Sequence, residues 1–96
     1  MTEKELLDLG FVKENSSDTI DGVAEFYYYI KDITNGLSFI SGCSDDIDDD
    51  DDWYIEFFDT EIPIRYYEYS TVKELFILIE KGINNTKTKI SKIKIK

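Results

Sequence analysis

The stretch Ala24-Glu25-Phe26-Tyr27-Tyr28-Tyr29-Ile30-Lys31, followed by Asn35-Gly36 and then Leu37-Ser38-Phe39-Ile40, decides the fold class. Aromatic and branched side chains in alternation suit a pleated strand. Asn35-Gly36 supplies the positive φ angles of a tight hairpin turn, so Leu37 to Ile40 reads as the returning strand. A two-residue turn sets Ile30 opposite Ser41 and puts Leu37 and Phe39 on the face of Phe26, Tyr28 and Ile30. Tyr27 and Tyr29 are then expected on the other face.

Further along, Trp53 to Phe58 and Ile62 to Tyr69 form a second hairpin around Asp59-Thr60-Glu61. Pro63 lacks an N–H for the ladder, so the fourth strand is expected at an edge or just after that residue. Thr71-Val72-Lys73-Glu74 has the form of a capping box, and Val72, Leu75, Phe76, Ile79 and Ile83 share one helical stripe that Gly82 is placed to end. Upstream, Thr2-Glu3-Lys4-Glu5 is a second capping box, ahead of Leu6, Leu7 and Leu9 and closed by Gly10. Residues 11 to 22 are polar, with a short strand around Phe11 and Val12. The expected architecture is α+β: a four-stranded, mainly antiparallel sheet with a C-terminal helix packed on one face and a short N-terminal helix. Residues 1–86 form a single compact domain, and the Lys/Ile alternation of 87–96 makes a tail or an edge strand.

The chain has 96 residues, 21 of them Asp or Glu and 11 Lys or Arg, for a formal net charge of -10. Leu, Ile, Val and Phe supply 29 of the 96, enough for a small core despite the charge. The absence of His removes Ser-His and Cys-His dyads, imidazole ligands and any imidazole titrating near neutral pH. One cysteine, Cys43, excludes an intramolecular disulfide, and the acidic amino terminus does not read as a signal peptide. The longest apolar runs, Phe26 to Ile30 and Leu75 to Ile79, cover five residues, against about 20 for a bilayer span. A cytoplasmic protein without catalytic residues, metal or cofactor is expected, with no membrane contact.

The strongest local signal is Asp45-Asp46-Ile47-Asp48-Asp49-Asp50-Asp51-Asp52, seven aspartates in eight positions. Such a run repels itself and must be solvated. The plain reading is a charged linker that keeps a Tyr-rich domain soluble. The functional reading is imitation of nucleic acid. Duplex DNA carries one charge per about 1.7 Å of axis, and this run with Glu56, Asp59, Glu61 and Glu68 offers comparable density to a basic cleft. The same charge argues against direct binding of DNA or RNA. A calcium reading of Asp48-x-Asp50-x-Asp52 with Asp59 at the twelfth position fails, because Trp53 stands where the loop needs Gly and residues 53 to 58 read as strand.

Tyrosine is the second signal. On the expected outer face, Tyr27 and Tyr29 join Tyr54, Phe58, Tyr67 and Tyr69, edged by Glu25, Lys31, Glu56 and Arg65. Tyrosine contributes contact area at low entropic cost, so this face suits a partner or a homodimer, while ordinary cross-strand packing accounts for it equally. Trp53 anchors the third strand, and Cys43 is disfavoured as a nucleophile by its carboxylate neighbours.

Leu9-Gly10-Phe11, Phe26-Tyr27-Tyr28-Tyr29, the acidic stretch, Trp53-Tyr54-Ile55-Glu56 and the final Leu-containing helix cover most of residues 4 to 83. Together they resemble small uncharacterised acidic proteins of bacterial genomes and phages, similar in general character to anti-CRISPR proteins. The resemblance transfers no active site. From the charge and the tyrosines, the expected function is a non-enzymatic binder that occupies the basic groove of a nucleic-acid-processing protein such as a CRISPR effector nuclease, in which Asp45, Asp46, Asp48, Asp49, Asp50, Asp51, Asp52 and Glu56 supply the field and Tyr27, Tyr29 and Tyr67 the contact area. The alternatives are an immunity protein against a nuclease toxin and a homodimeric structural or accessory protein.

Overall fold

A computed structural model describes the backbone of residues 1–16, 19–20, 23–24 and 26–94, and the side chains of 1–16 and 26–86. Helix α1 (Glu3–Asp8) is followed by strands β1 (Val12–Asn15), β2 (Thr19–Ile20), β3 (Val23–Ala24), β4 (Tyr27–Thr34) and β5 (Leu37–Ser41). A 3-10 turn (Ser44–Asp46), β6 (Ile55–Phe57), β7 (Arg65–Tyr66) and helix α2 (Tyr69–Lys94) complete the elements of the described residues. Five strands form one antiparallel sheet in the order β1-β4-β5-β6-β7, and β2 pairs with β3 in a separate two-stranded ladder. The α+β class is as the sequence indicates, with β1 added as a fifth strand. β7 starts two residues past Pro63, where each residue can again supply an N–H.

The Asn35-Gly36 turn forms as expected, with Thr34 opposite Leu37 and Gly36 at φ 82. A bulge between Asp32 and Thr34 then absorbs one residue, so Ile30 pairs with Ile40, not Ser41. A slip of one residue exchanges the two faces of a strand. Tyr27 and Tyr29 therefore lie on the helix side with Phe39, and Tyr28 and Ile30 on the open side. The expectation that Tyr27 and Tyr29 face outward is corrected: Tyr29 is 3% exposed, and Tyr27 stacks on Trp53 at 5.9 Å. Tyr69 also leaves the predicted outer face, its hydroxyl donating to Asp8 of α1. Glu25, expected on the rim of that face, lies outside the described residues.

Phe39 and Ile55, at the centre of the sheet, are fully buried together with Leu6 of α1 and Val72 of α2. Each such side chain contributes roughly 1.5–3 kcal/mol by leaving water. Phe76 joins the layers, with its ring 5.3 Å from Phe39 and 6.0 Å from Phe11. The capping box of α1 forms as read, the Glu5 N–H donating to the Thr2 hydroxyl and the Thr2 N–H to the Glu5 carboxylate. α2 begins earlier than its apparent box: Val72 N–H donates to Glu68 O, which places Thr71 inside the first turn. Gly82 does not end it, and the helical backbone continues to Lys94, through positions read as a tail or edge strand.

Candidate partner-binding surface

The acidic run leaves the sheet where β5 ends, and two serines complete the ladder there. Ser41 Oγ accepts from the Tyr29 N–H (2.8 Å) and Ser44 Oγ from the Tyr27 N–H (3.0 Å), so β4 keeps its partners after β5 has turned away. The Asp46 N–H donates to Cys43 O, closing the 3-10 turn, and the half-buried Ile47 packs against the core. A second turn follows, in which the Asp52 N–H donates to Asp49 O at 3.0 Å. Trp53 ends the run, 2% exposed and in edge contact with Tyr29 at 5.4 Å.

The far end of the run is fastened by the amino terminus. The Met1 ammonium donates to the carbonyls of Asp51 (2.9 Å), Trp53 (2.9 Å) and Tyr67 (2.8 Å), and Met1 O accepts from the Trp53 N–H. Backbone carbonyls thus meet a positive charge on the inner side of the loop while the seven aspartate side chains are all exposed to solvent. The run is solvated, as its repulsion requires, and its backbone is held at both ends.

Two adjoining clefts border this loop. One, of about 510 Å³, is lined by Glu5, Asp51, Asp52, Tyr67, Glu68 and Tyr69, among others. The second, of about 380 Å³, is lined by Asp46, Ile47, Asp48, Asp52, Tyr54, Arg65 and Tyr67. Asp52 and Tyr67 belong to both. On the open face of the sheet the Tyr54 and Tyr67 rings lie 5.4 Å apart, the Arg65 guanidinium sits 4.3 Å from the Tyr54 centroid, and Arg65 Nε is 3.6 Å from Glu56. Tyr54 packs over Gly42, which has no room for a Cβ: one built there would meet the ring at 2.7 Å.

The field of the loop reaches its neighbours. Burial first, and then Asp45 and Asp46, push the Cys43 thiol up. Burial pushes the Tyr54 hydroxyl up, Arg65 opposes this, and Glu56 and Asp46 reinforce it. Cys43 Sγ and carboxylate oxygens of Asp45 and Asp46 lie within 4.8 Å of one another, but a metal would need the thiolate that these neighbours disfavour. The twelve-residue calcium loop considered from sequence is interrupted by β6.

Of the residues singled out in the sequence, Asp46, Asp48, Asp51, Asp52 and Tyr67 converge on the two clefts, and Glu56 stands on the same open face through Arg65. Asp45, Asp49 and Asp50 are exposed along the loop. Tyr29 offers no contact area, and Tyr27 is half-buried between Trp53 and the Lys13 ammonium, 3.9 Å from its ring centroid. Glu68, grouped with the acidic run from the sequence, lines the first cleft, whereas the sequence assigns Glu5 and Met1 no place there. Glu5 was legible only as a helix cap, and nothing local in the sequence marks Met1 as the clasp of a loop 50 residues away. Among the described residues no helix is long and apolar enough to cross a membrane. Comparison with family models, curated proteins and solved structures gave no match.

Proposed function

We propose that the protein is a non-enzymatic acidic binding protein that inhibits a nucleic-acid-processing enzyme, such as a CRISPR effector or another nuclease, by occupying its basic groove. The observation that carries this reading is the exposed aspartate run held by hydrogen bonds at both ends. Fully extended, eight residues would span roughly 26 Å; folded into a 3-10 turn and a second turn, the same seven carboxylates are crowded into a shorter ridge. A prearranged ridge of this kind resembles the phosphate array that basic grooves are built to hold, and it speeds encounter with positive surfaces. The exposed Tyr67 beside it adds contact area of the kind interfaces favour. Binding nucleic acid directly is not part of its role, since its own field opposes phosphate. Its place is the cytoplasm, where the free thiol of Cys43 stays reduced. An immunity protein against a nuclease toxin would use the same surface.

The test is affinity capture from nuclease-treated lysate of cells that carry the gene, comparing wild type with a variant in which Asp48 to Asp52 are Asn, at low and moderate salt. Retention of a basic nucleic-acid enzyme by the wild type, weakened by salt and lost in the variant, is expected. Equal retention by both proteins would remove the aspartate run from the account, and retention of nothing would overturn the inhibitor reading.

A further inference from the structure

We propose that the 380 Å³ cleft between the acidic loop and the open sheet face is an arginine site, which receives the guanidinium of one arginine from an extended segment of the partner. The inference rests on the reading that the acidic loop meets a basic protein surface, and it names the side chain that this part of the surface is built to recognise. Three features of the cleft support it, of which the first and third do not depend on the loop's charge.

The first is aromatic. Tyr54 and Tyr67 form a tilted pair at 5.4 Å and 47°, and this pair already holds a guanidinium from its own chain, that of Arg65, at 4.3 Å from the Tyr54 centroid. Tyr67 is 47% exposed; Arg65 reaches its hydroxyl, but among the described residues no cation lies over the face of its ring. The second is charge. Asp46, Asp48 and Asp52 line the cleft against Arg65 alone, so the cleft retains a net negative charge that one further cation reduces. The third is size. At about 380 Å³ the cleft lies near the small end of ligand pockets, suited to a side chain and too small for a folded element.

Between the two basic side chains, arginine fits better. A planar guanidinium stacks on a tyrosine face while its fork donates two parallel N–H bonds to a carboxylate, whereas an ammonium is a strongly hydrated point charge that gains from the field but not from the plane. The cleft therefore discriminates, where the exposed aspartates alone would only attract.

Calorimetric titration with two capped peptides, tetra-arginine and tetra-lysine, tests this at about 50 mM salt. The wild type should bind the arginine peptide about tenfold more tightly. Tyr67→Leu should bring the two affinities together, and Tyr67→Phe, which keeps the ring, should restore the preference. Equal affinities in the wild type would overturn the arginine site and leave the acidic-surface reading standing, whereas no binding of either peptide would overturn both. Free L-arginine that binds as tightly as the tetra-arginine peptide would overturn the assignment to a protein segment.

Discussion

Gly42→Ala tests how the cleft is built. The Gly42 N–H donates to Tyr54 O at 3.3 Å, and Gly42 adopts a backbone conformation outside the left-handed region, so alanine is acceptable to the main chain. The obstacle is the ring: a Cβ would lie 2.7–2.8 Å from Cζ, Cε1 and Oη of Tyr54. Restoring an ordinary contact of about 3.5 Å requires the ring to retreat by roughly 0.7–0.8 Å. Overpacking of this kind costs about 1–3 kcal/mol, and the stiffer unfolded chain returns about 0.4–1 kcal/mol. A net loss of about 1–2 kcal/mol is expected in urea unfolding followed by the fluorescence of buried Trp53. In a Tyr54→Ala background the obstacle is gone, and the same substitution should stabilise by about 0.4–1 kcal/mol. A penalty of the same size in both backgrounds would refute the reasoning and place the strain in the backbone.

Three further outcomes follow from the geometry. Burial first, and then the Glu3 carboxylate that accepts its hydroxyl at 2.9 Å, push Tyr29 well above the usual tyrosine range. The unfolded chain loses this proton from about pH 10 while the folded chain keeps it, so stability is full below pH 10 and falls as pH rises beyond it, by up to about 1.4 kcal/mol per unit. Tyr29→Phe should flatten that alkaline slope in pH-dependent urea titrations, at a cost near neutrality of about 0.5–1.5 kcal/mol; an unchanged slope would assign it to other tyrosines. Acetylating the Met1 amine removes its charge and leaves one N–H for three carbonyls, which should cost about 1–3 kcal/mol and speed amide exchange at Trp53; unchanged exchange would mean that the ammonium does not hold the loop. Phe39→Ala, between Phe57 at 4.8 Å and Phe76 at 5.3 Å, should cost about 3–5 kcal/mol in the same urea assay, a large share of the stability of any small domain; a loss below 1 kcal/mol would deny it the central place in the core.

Most elements of the fold are legible in the sequence, the β2–β3 ladder and the helical 87–94 excepted, but the side that β4 presents is not. From Phe26 to Ile30 every residue is apolar or aromatic, so alternation cannot choose a face, and an unbroken two-residue hairpin puts Lys31 on the outer one. In fact Lys31 lies on the helix side and extends along it: its Nζ is 5.8 Å from the Phe76 centroid and passes over Gly10, which has φ 95 and no side chain to obstruct it. Long amphipathic stems of this kind mislead any reading based on charge. The bulge at Asp32/Thr34 leaves no mark in composition, yet it exchanges the tyrosines of the two faces. The start of α2 was misplaced for a related reason, since Thr71 and Glu74 match a cap that the chain overruns at Tyr69.

The candidate site divides along the same line. Exposure of the aspartate run followed from repulsion alone, and the burial of Trp53 from its size and place. Closure of the loop by Met1, and the meeting of Asp46, Asp48 and Asp52 with Tyr54 and Tyr67, depend on contacts between distant parts of the chain. Tyr67 was placed correctly because β7 has no bulge to reverse it: Ile55 pairs with Tyr66 and Glu56 with Arg65.

The central claim is that the acidic ridge occupies a groove meant for nucleic acid. The most direct measurement is competition on the captured enzyme, with fluorescence anisotropy of a labelled duplex or guide RNA recorded as the protein is added. Displacement of the labelled strand in proportion to occupancy, abolished by changing Asp48 to Asp52 to Asn, is the predicted result. A stable ternary complex, in which the enzyme holds the strand and the protein together, would contradict it.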